Sequence, residues 1–346
     1  MELYSTLNQL KDSIVFGTPS GFFVYSVNPF KKILAREIPG GIKLVRILNR
    51  SNIFIFVGLS QESPYPSNKV IVWDESKQKI MGDIKFRDMI LNVDLSMDFI
   101  VVATAINVFV YELNTLNLIG MIGTAINPQG VFSLSYGAPV LLTLGESVGQ
   151  IALWRIVRQA NAYELQPICS VTAHKNPIAR LALGEAGNII ATASERGTII
   201  RIYEVRDDII ELLKELRRGA DPSRILTMSF SPNRENLILG SDKGTVHVFS
   251  TGVGSRPNTR MNGYGIGLIK NYLPAYFDSE WSYSQFYIKE TDIYLGFIND
   301  RQIVCIGGTG NYYEMELNDN RLSVIKTIQF YSDQNDPFSN RTNTIK

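Results

Sequence analysis

The chain has 346 residues, and its 34 Lys+Arg against 33 Asp+Glu leave a formal net charge of +1. Hydrophobic residues at 45% supply a sizeable core, and charged residues at 19% are too few for a disordered chain. That balance excludes a broadly basic nucleic-acid or anionic-surface binder, while the length leaves open two ordinary domains or one large repeat architecture.

In chain order, Met1–Thr6 lacks a basic stretch followed by an apolar run, so no signal peptide is expected. The apolar run Met89–Val110 is interrupted by Asn92, Asp94, Asp98 and Asn107, too polar for a membrane span of about 20 residues. A soluble cytosolic protein is the expectation. Short runs such as Asn52–Val57, Ile100–Ala105 and Gln302–Gly307 are rich in Val, Ile and Phe and bounded by turn residues, as strands require. Cys169 and Cys305 are too few for a disulfide framework or a four-thiolate zinc site and read as small core residues.

Internal repeats set the architecture. Thr192-Ala-Ser-Glu-Arg-Gly-Thr-Ile-Ile-Arg-Ile-Tyr203 and Leu239-Gly-Ser-Asp-Lys-Gly-Thr-Val-His-Val-Phe249 share a small-residue strand, a Ser-acid-base-Gly turn and an alternating strand ending in an aromatic. Weaker copies are Gly17–Val27, Lys69–Asp74, Ala103–Leu113, Leu144–Ile156 and Gly307–Leu317, seven in all. The anchors Tyr25, Trp73, Tyr111, Trp154, Tyr203, Phe249 and Met315 are spaced by 48, 38, 43, 49, 46 and 66 residues. The first five steps suit four-stranded propeller blades of roughly 40–45 residues; the sixth contains a long insertion. The expected fold is therefore an all-β, seven-bladed WD40-like β-propeller over 1–333, with a long membrane-facing loop at about 250–280 in blade six and a disordered C-terminal tail at 334–346. Asp207–Leu216 has helix-forming composition, but the repeat period demands the outer strand of blade five there.

Leu216-Arg217-Arg218-Gly219 ends that strand. Side chains alternate along a strand, so Arg217 and Arg218 face opposite sides and can each serve one of two anion pockets; Arg suits phosphate because its planar fork stays charged. Arg201 and His247 each lie two residues before their anchors, and Ser194 with Thr198 matches Ser241 with Thr245 around the two turns. Arg196–Arg224 carries seven Lys/Arg but six Asp/Glu, so recognition here depends on geometry rather than bulk charge. Between blades, Ser250–Asn262 is Gly/Ser/Arg/Asn-rich, and Tyr264, Ile266, Leu268, Ile269 and Tyr272 concentrate apolar surface suited to a membrane interface; Trp281 onwards is expected to pack on the propeller.

These segments resemble the PROPPIN family, carried by Leu216-Arg-Arg-Gly-Ala-Asp-Pro222, Met228-Ser-Phe-Ser-Pro232 and Gly240–Phe249. The resemblance spans Leu7–Phe330; the family motif is Phe/Leu-Arg-Arg-Gly, and Leu216 is its leucine variant. The family consists of seven-bladed propellers that bind phosphoinositides in autophagy and endosomal sorting. The resemblance implies one lipid-headgroup site from His174, Ser194, Thr198, Arg201 and Arg217, and a second from Arg218, Ser229, Ser241, Lys243, Thr245 and His247. His174 also occupies the place of a structural histidine in ordinary propeller repeats, and both readings stand at this point. The resemblance further implies a monomer that binds phosphatidylinositol 3-phosphate and/or the 3,5-bisphosphate. It would sit peripherally on the preautophagosomal structure, endosome or vacuole and recruit autophagy proteins, among them a large lipid-transfer protein, through blades two and three. Histidine ligands would make binding stronger at mildly acidic pH. The alternative is a protein-interaction scaffold with an anionic-peptide site and no lipid role. No catalytic residue, metal or cofactor is expected: there is no phosphate-loop motif, no nucleophile elbow, no metal-ligand spacing, and Gly263-Tyr-Gly-Ile-Gly267 lacks a βαβ context.

Overall fold

The computed structural model describes residues 4–160, 162–253, 280–290 and 292–331. They form seven blades of four antiparallel strands, over 4–37, 42–85, 92–123, 132–172, 178–217, 225–250 with 284–287, and 293–329. Each sheet takes its strands in sequence order, and the first strands pack side by side around the axis. One apolar cluster fills each of the seven gaps between neighbouring blades. Burial follows from this arrangement: second strands such as Val140–Leu144 are buried throughout, whereas fourth strands such as Lys31–Glu37 expose most of their residues.

All seven anchors fall on third strands. In every blade but the sixth, the pairing of third and fourth strands slips immediately before the anchor: before Tyr25, Trp73, Tyr111, Trp154, Tyr203 and Met315. A bulge sharpens the local twist of a strand, so the recurring aromatic marks the point where each outer strand turns. Blade six is the exception because its fourth strand, Ser284–Tyr287, arrives only after the insertion.

Ile209–Arg217 is a strand, as the period required. Asp207 and Asp208, at φ 49° and 62°, make the tight turn that starts it, and pairing with Ile199–Arg206 overrides the helical propensity of the segment. The insertion returns in an unforeseen way. Glu280–Trp281 adds to the edge of blade five, running parallel to Leu216–Arg217, before the chain re-enters blade six at Ser284.

The ring closes without a shared strand, since blades one and seven are each built from four consecutive strands. Among the described residues, side-chain contacts join them: Phe16 lies 4.7 Å from Phe330, Phe30 stacks at 3.9 Å on Tyr312, and the Tyr294 hydroxyl accepts the Leu7 amide at 3.2 Å.

Candidate functional site

The end of blade five's outer strand separates two clusters of polar side chains. Leu216 is fully buried among Ile225, Leu239 and Phe249 on the blade-six side. Arg217 therefore points to the blade-four side, and Arg218 returns toward blade six. Both arginines are buried, at 9% and 8% exposure, an unusual placement for two adjacent cations.

On the blade-four side, Thr192, Arg201 and Glu215 stand across from one another on neighbouring strands. Arg201 Nε donates to Glu215 Oε2 at 2.9 Å, and Nη1 donates to the Ala173 carbonyl. His174 is buried, with Nε2 2.9 Å from Thr192 Oγ1. Burial, helped by the nearby Arg201 charge, lowers its pKa to about 4. Ser194 and Thr198 are buried at the turn around Gly197, whose φ of 61° is left-handed and whose added Cβ would lie 1.8 Å from the Ser223 carbonyl.

On the blade-six side, Ser241 Oγ and Thr245 Oγ1 are 2.8 Å apart. Arg218 Nε donates to the Gly197 carbonyl at 2.7 Å and Nη2 donates to that of Asp221. His247 is 3% exposed; its Nδ1 lies 3.1 Å from Ser282 Oγ. Its pKa is also lowered to about 4, by burial first and then by Arg218. Each cluster thus sets an arginine beside an imidazole of lowered pKa: Arg201 with His174, and Arg218 with His247.

Three sequence expectations need adjustment. Ser229 does not join the second pocket; it sits opposite Ile238, three residues along the strand from Ser241, in the wall of an axial cavity of about 230 Å³ lined by all seven first strands. Ser229 lies on a first strand, which belongs to the axis and not to the rim. Thr198 is not the counterpart of Thr245. The blade-five turn is one residue longer, so Ile199 takes that register position, and the Thr198 carbonyl instead accepts the Arg218 amide at 2.9 Å. The expected rise in binding at mildly acidic pH meets an opposing cost, because burial lowers the pKa of both imidazoles to about 4 in the free protein. Lys243 lies exposed at its turn. Tyr264, Ile266, Leu268, Ile269 and Tyr272, the remainder of the 254–279 stretch and the tail at 334–346 fall outside the described residues.

Thr192, Glu215 and Ser282 were missed. The first two were within reach of strand alternation, opposite Arg201 and two residues before Arg217. Ser282 was not, because it arrives across the insertion.

The depressed histidines carry a stability prediction. An unfolded imidazole takes up its proton near pH 6.5 and the folded ones near 4, so stability is full above the unfolded value and falls as pH drops through that interval. Chemical denaturation should lose about 2 kcal/mol per histidine between pH 7 and pH 5, and the His174→Gln/His247→Gln variant should lose most of that slope.

Comparison with known proteins decides the family. The PROPPIN family model matches residues 3–287. The chain belongs to the PROPPIN family. Among curated PROPPIN relatives, Autophagy-related protein 18e of Arabidopsis thaliana is 31% identical over 318 residues, covering 88% of this chain and 80% of that one. SVP1-like protein 2 of Pichia angusta is 33% identical over 298 residues, with 84% and 81% covered. The structure of Kluyveromyces lactis Hsv2 with complete loop 6CD superposes with a TM-score of 0.78 at 26% identity, covering 95% of this chain and 99% of that one. A seven-bladed PROPPIN propeller is a scaffold fold with autophagy-related relatives, not an enzyme family. No helix among the described residues is long and apolar enough to cross a membrane.

Proposed function

We propose that this chain is a peripheral reader of 3-phosphorylated phosphoinositides, phosphatidylinositol 3-phosphate and/or the 3,5-bisphosphate, acting in autophagosome formation. The observation that supports the reading most is the pair of buried arginines directed to opposite faces of one strand end, beside pockets that each hold a neutral histidine and buried hydroxyls. Fixed donors of this kind recognise phosphate on a protein of net charge +1. His174, Ser194, Thr198, Arg201 and Arg217 would hold one headgroup, and Arg218, Ser241, Lys243, Thr245 and His247 the other. His174 can bond Thr192 through Nε2 and still offer Nδ1. Apolar residues of the insertion, Tyr264 to Tyr272, would enter the bilayer. With two pockets and a loop on one membrane, later contacts become intramolecular, raising avidity by about 10²–10⁴.

Partner recruitment is assigned to blades two and three, where the outer strands expose Ile80, Met81, Leu118 and Met121. A large lipid-transfer protein of autophagy is the proposed occupant, and no catalytic role is assigned to the chain.

Liposome flotation tests the reading. The protein should float with vesicles containing phosphatidylinositol 3-phosphate and stay behind with vesicles lacking phosphoinositides. Equal behaviour on both, together with binding of an acidic peptide at these arginines, would replace the lipid reader by a peptide scaffold. Flotation should also change little between about pH 7.5 and 5.5, since a neutral imidazole still donates one N–H. Glu215 holds Arg201 by an ion pair that any phosphate must share. Glu215→Gln keeps the acceptor and removes the repulsion, so headgroup affinity should rise by up to about tenfold at low salt; a weaker complex, measured by titration calorimetry, would show that the carboxylate serves to orient the guanidinium.

A further inference from the structure

The arm that returns from the insertion touches both pockets. Its backbone pairs with Leu216 and Arg217, and Glu280 forms an ion pair with Lys214 at 2.6 Å. Two residues on, the Tyr283 amide donates to the Val248 carbonyl at 3.1 Å, and the Tyr283 hydroxyl donates to Asn236 Oδ1 at 2.7 Å. Held at both ends, Ser282 places Oγ 3.1 Å from His247 Nδ1. His247 is 97% buried by its 3% exposure, its ring lies over Phe249 at 6.1 Å, and among the described residues its Nε2 is buried without a hydrogen-bond partner. A buried nitrogen left open is costly, and Arg218 is the charge that bears on this imidazole.

We propose that Ser282 is a positioning residue that sets the tautomer of His247, donating its hydroxyl proton to Nδ1 so that Nε2 carries the N–H offered to a phosphate oxygen. The chemistry requires one arrangement of the two that are available. A phosphate dianion has acceptors only, so the open nitrogen has to be a donor. A neutral imidazole owns a single N–H, which must then sit on Nε2, leaving Nδ1 to accept. In the free protein, burial and the Arg218 charge disfavour a second proton on the ring, so the single N–H sits on one nitrogen or the other. The insertion thereby supplies part of the second headgroup site through its return arm. This inference rests on the assignment of His247 to that site.

The chain has only two histidines, which makes ¹⁵N NMR of the imidazoles a direct test in the intact protein, with His174→Gln for assignment. His247 should appear as the Nε2-protonated tautomer and shift on titration with glycerophosphoinositol 3,5-bisphosphate, giving a site-specific affinity. Ser282→Ala should move the ring toward the Nδ1-protonated form and weaken that affinity by about threefold to tenfold, while Ser282→Thr keeps both. An Nδ1-protonated wild type, or a Ser282→Ala protein whose tautomer is unchanged whatever its affinity, would overturn the proposal. If the His247 tautomer is as stated but Arg218 and His247 signals ignore the headgroup, the site assignment itself fails and the proposal with it.

Discussion

The Arg217→Thr/Arg218→Thr variant should lose flotation with vesicles containing phosphatidylinositol 3-phosphate, a fall of about 100-fold or more in apparent affinity. Each arginine would contribute a charge-assisted hydrogen bond worth about 1.5–3 kcal/mol, one to each proposed headgroup site, so the double variant should lose more than either single one. Threonine is a good strand residue, which spares the backbone pairing of Arg217 with Ile199 and Trp281. Arg218 also ties the carbonyls of Gly197 and Asp221, so some stability is lost in parallel, and a thermal melt must accompany the assay. Each single variant should keep one pocket and an intermediate affinity. Undiminished, lipid-specific flotation by the folded double variant would refute the role given to these residues.

Phe16→Ala should cost about 3–5 kcal/mol, the range for a buried aromatic removed from a packed core. Phe16 is fully buried and contacts Phe23, Tyr25 and Phe330, at 5.1, 5.8 and 4.7 Å between ring centres. Its position matters more than its area. Other blade interfaces join segments already linked by a short chain connection, whereas blades one and seven are separated by the rest of the chain and share no strand. Urea denaturation should show the loss of stability, and hydrogen exchange should accelerate first in 4–37 and 293–329. A cost below about 1 kcal/mol, or exchange that rises evenly around the ring, would contradict closure through this aromatic cluster.

The repeat anchors made the fold legible because a large side chain, aromatic in all blades but the seventh, recurs on the third strand, at the bulge with the fourth in every blade but the sixth. Alternation along Ile209–Arg217 likewise sent Arg217 and Arg218 to opposite faces, and the helical composition of that segment misled only at the level of local propensity. Less legible were features that depend on register or on chain crossing. Ser229 looked adjacent to the pocket by motif, yet strand register carries it to the axial wall. Thr198 and Thr245 have equal spacing from their serines but unequal turns. Glu215 was read as one more charge in a mixed segment and instead faces Arg201. The return arm that brings Ser282 to His247 follows a parallel addition to the neighbouring blade, and no periodicity in the sequence announces it.

Two discrete headgroup sites are proposed to flank one strand. Titration calorimetry with glycerophosphoinositol 3-phosphate, the soluble deacylated headgroup, counts them without a membrane. Two headgroups should bind per chain, reduced to one in Arg218→Thr with the remaining site unchanged. A stoichiometry of one in the wild type, or no binding at millimolar headgroup, would contradict it.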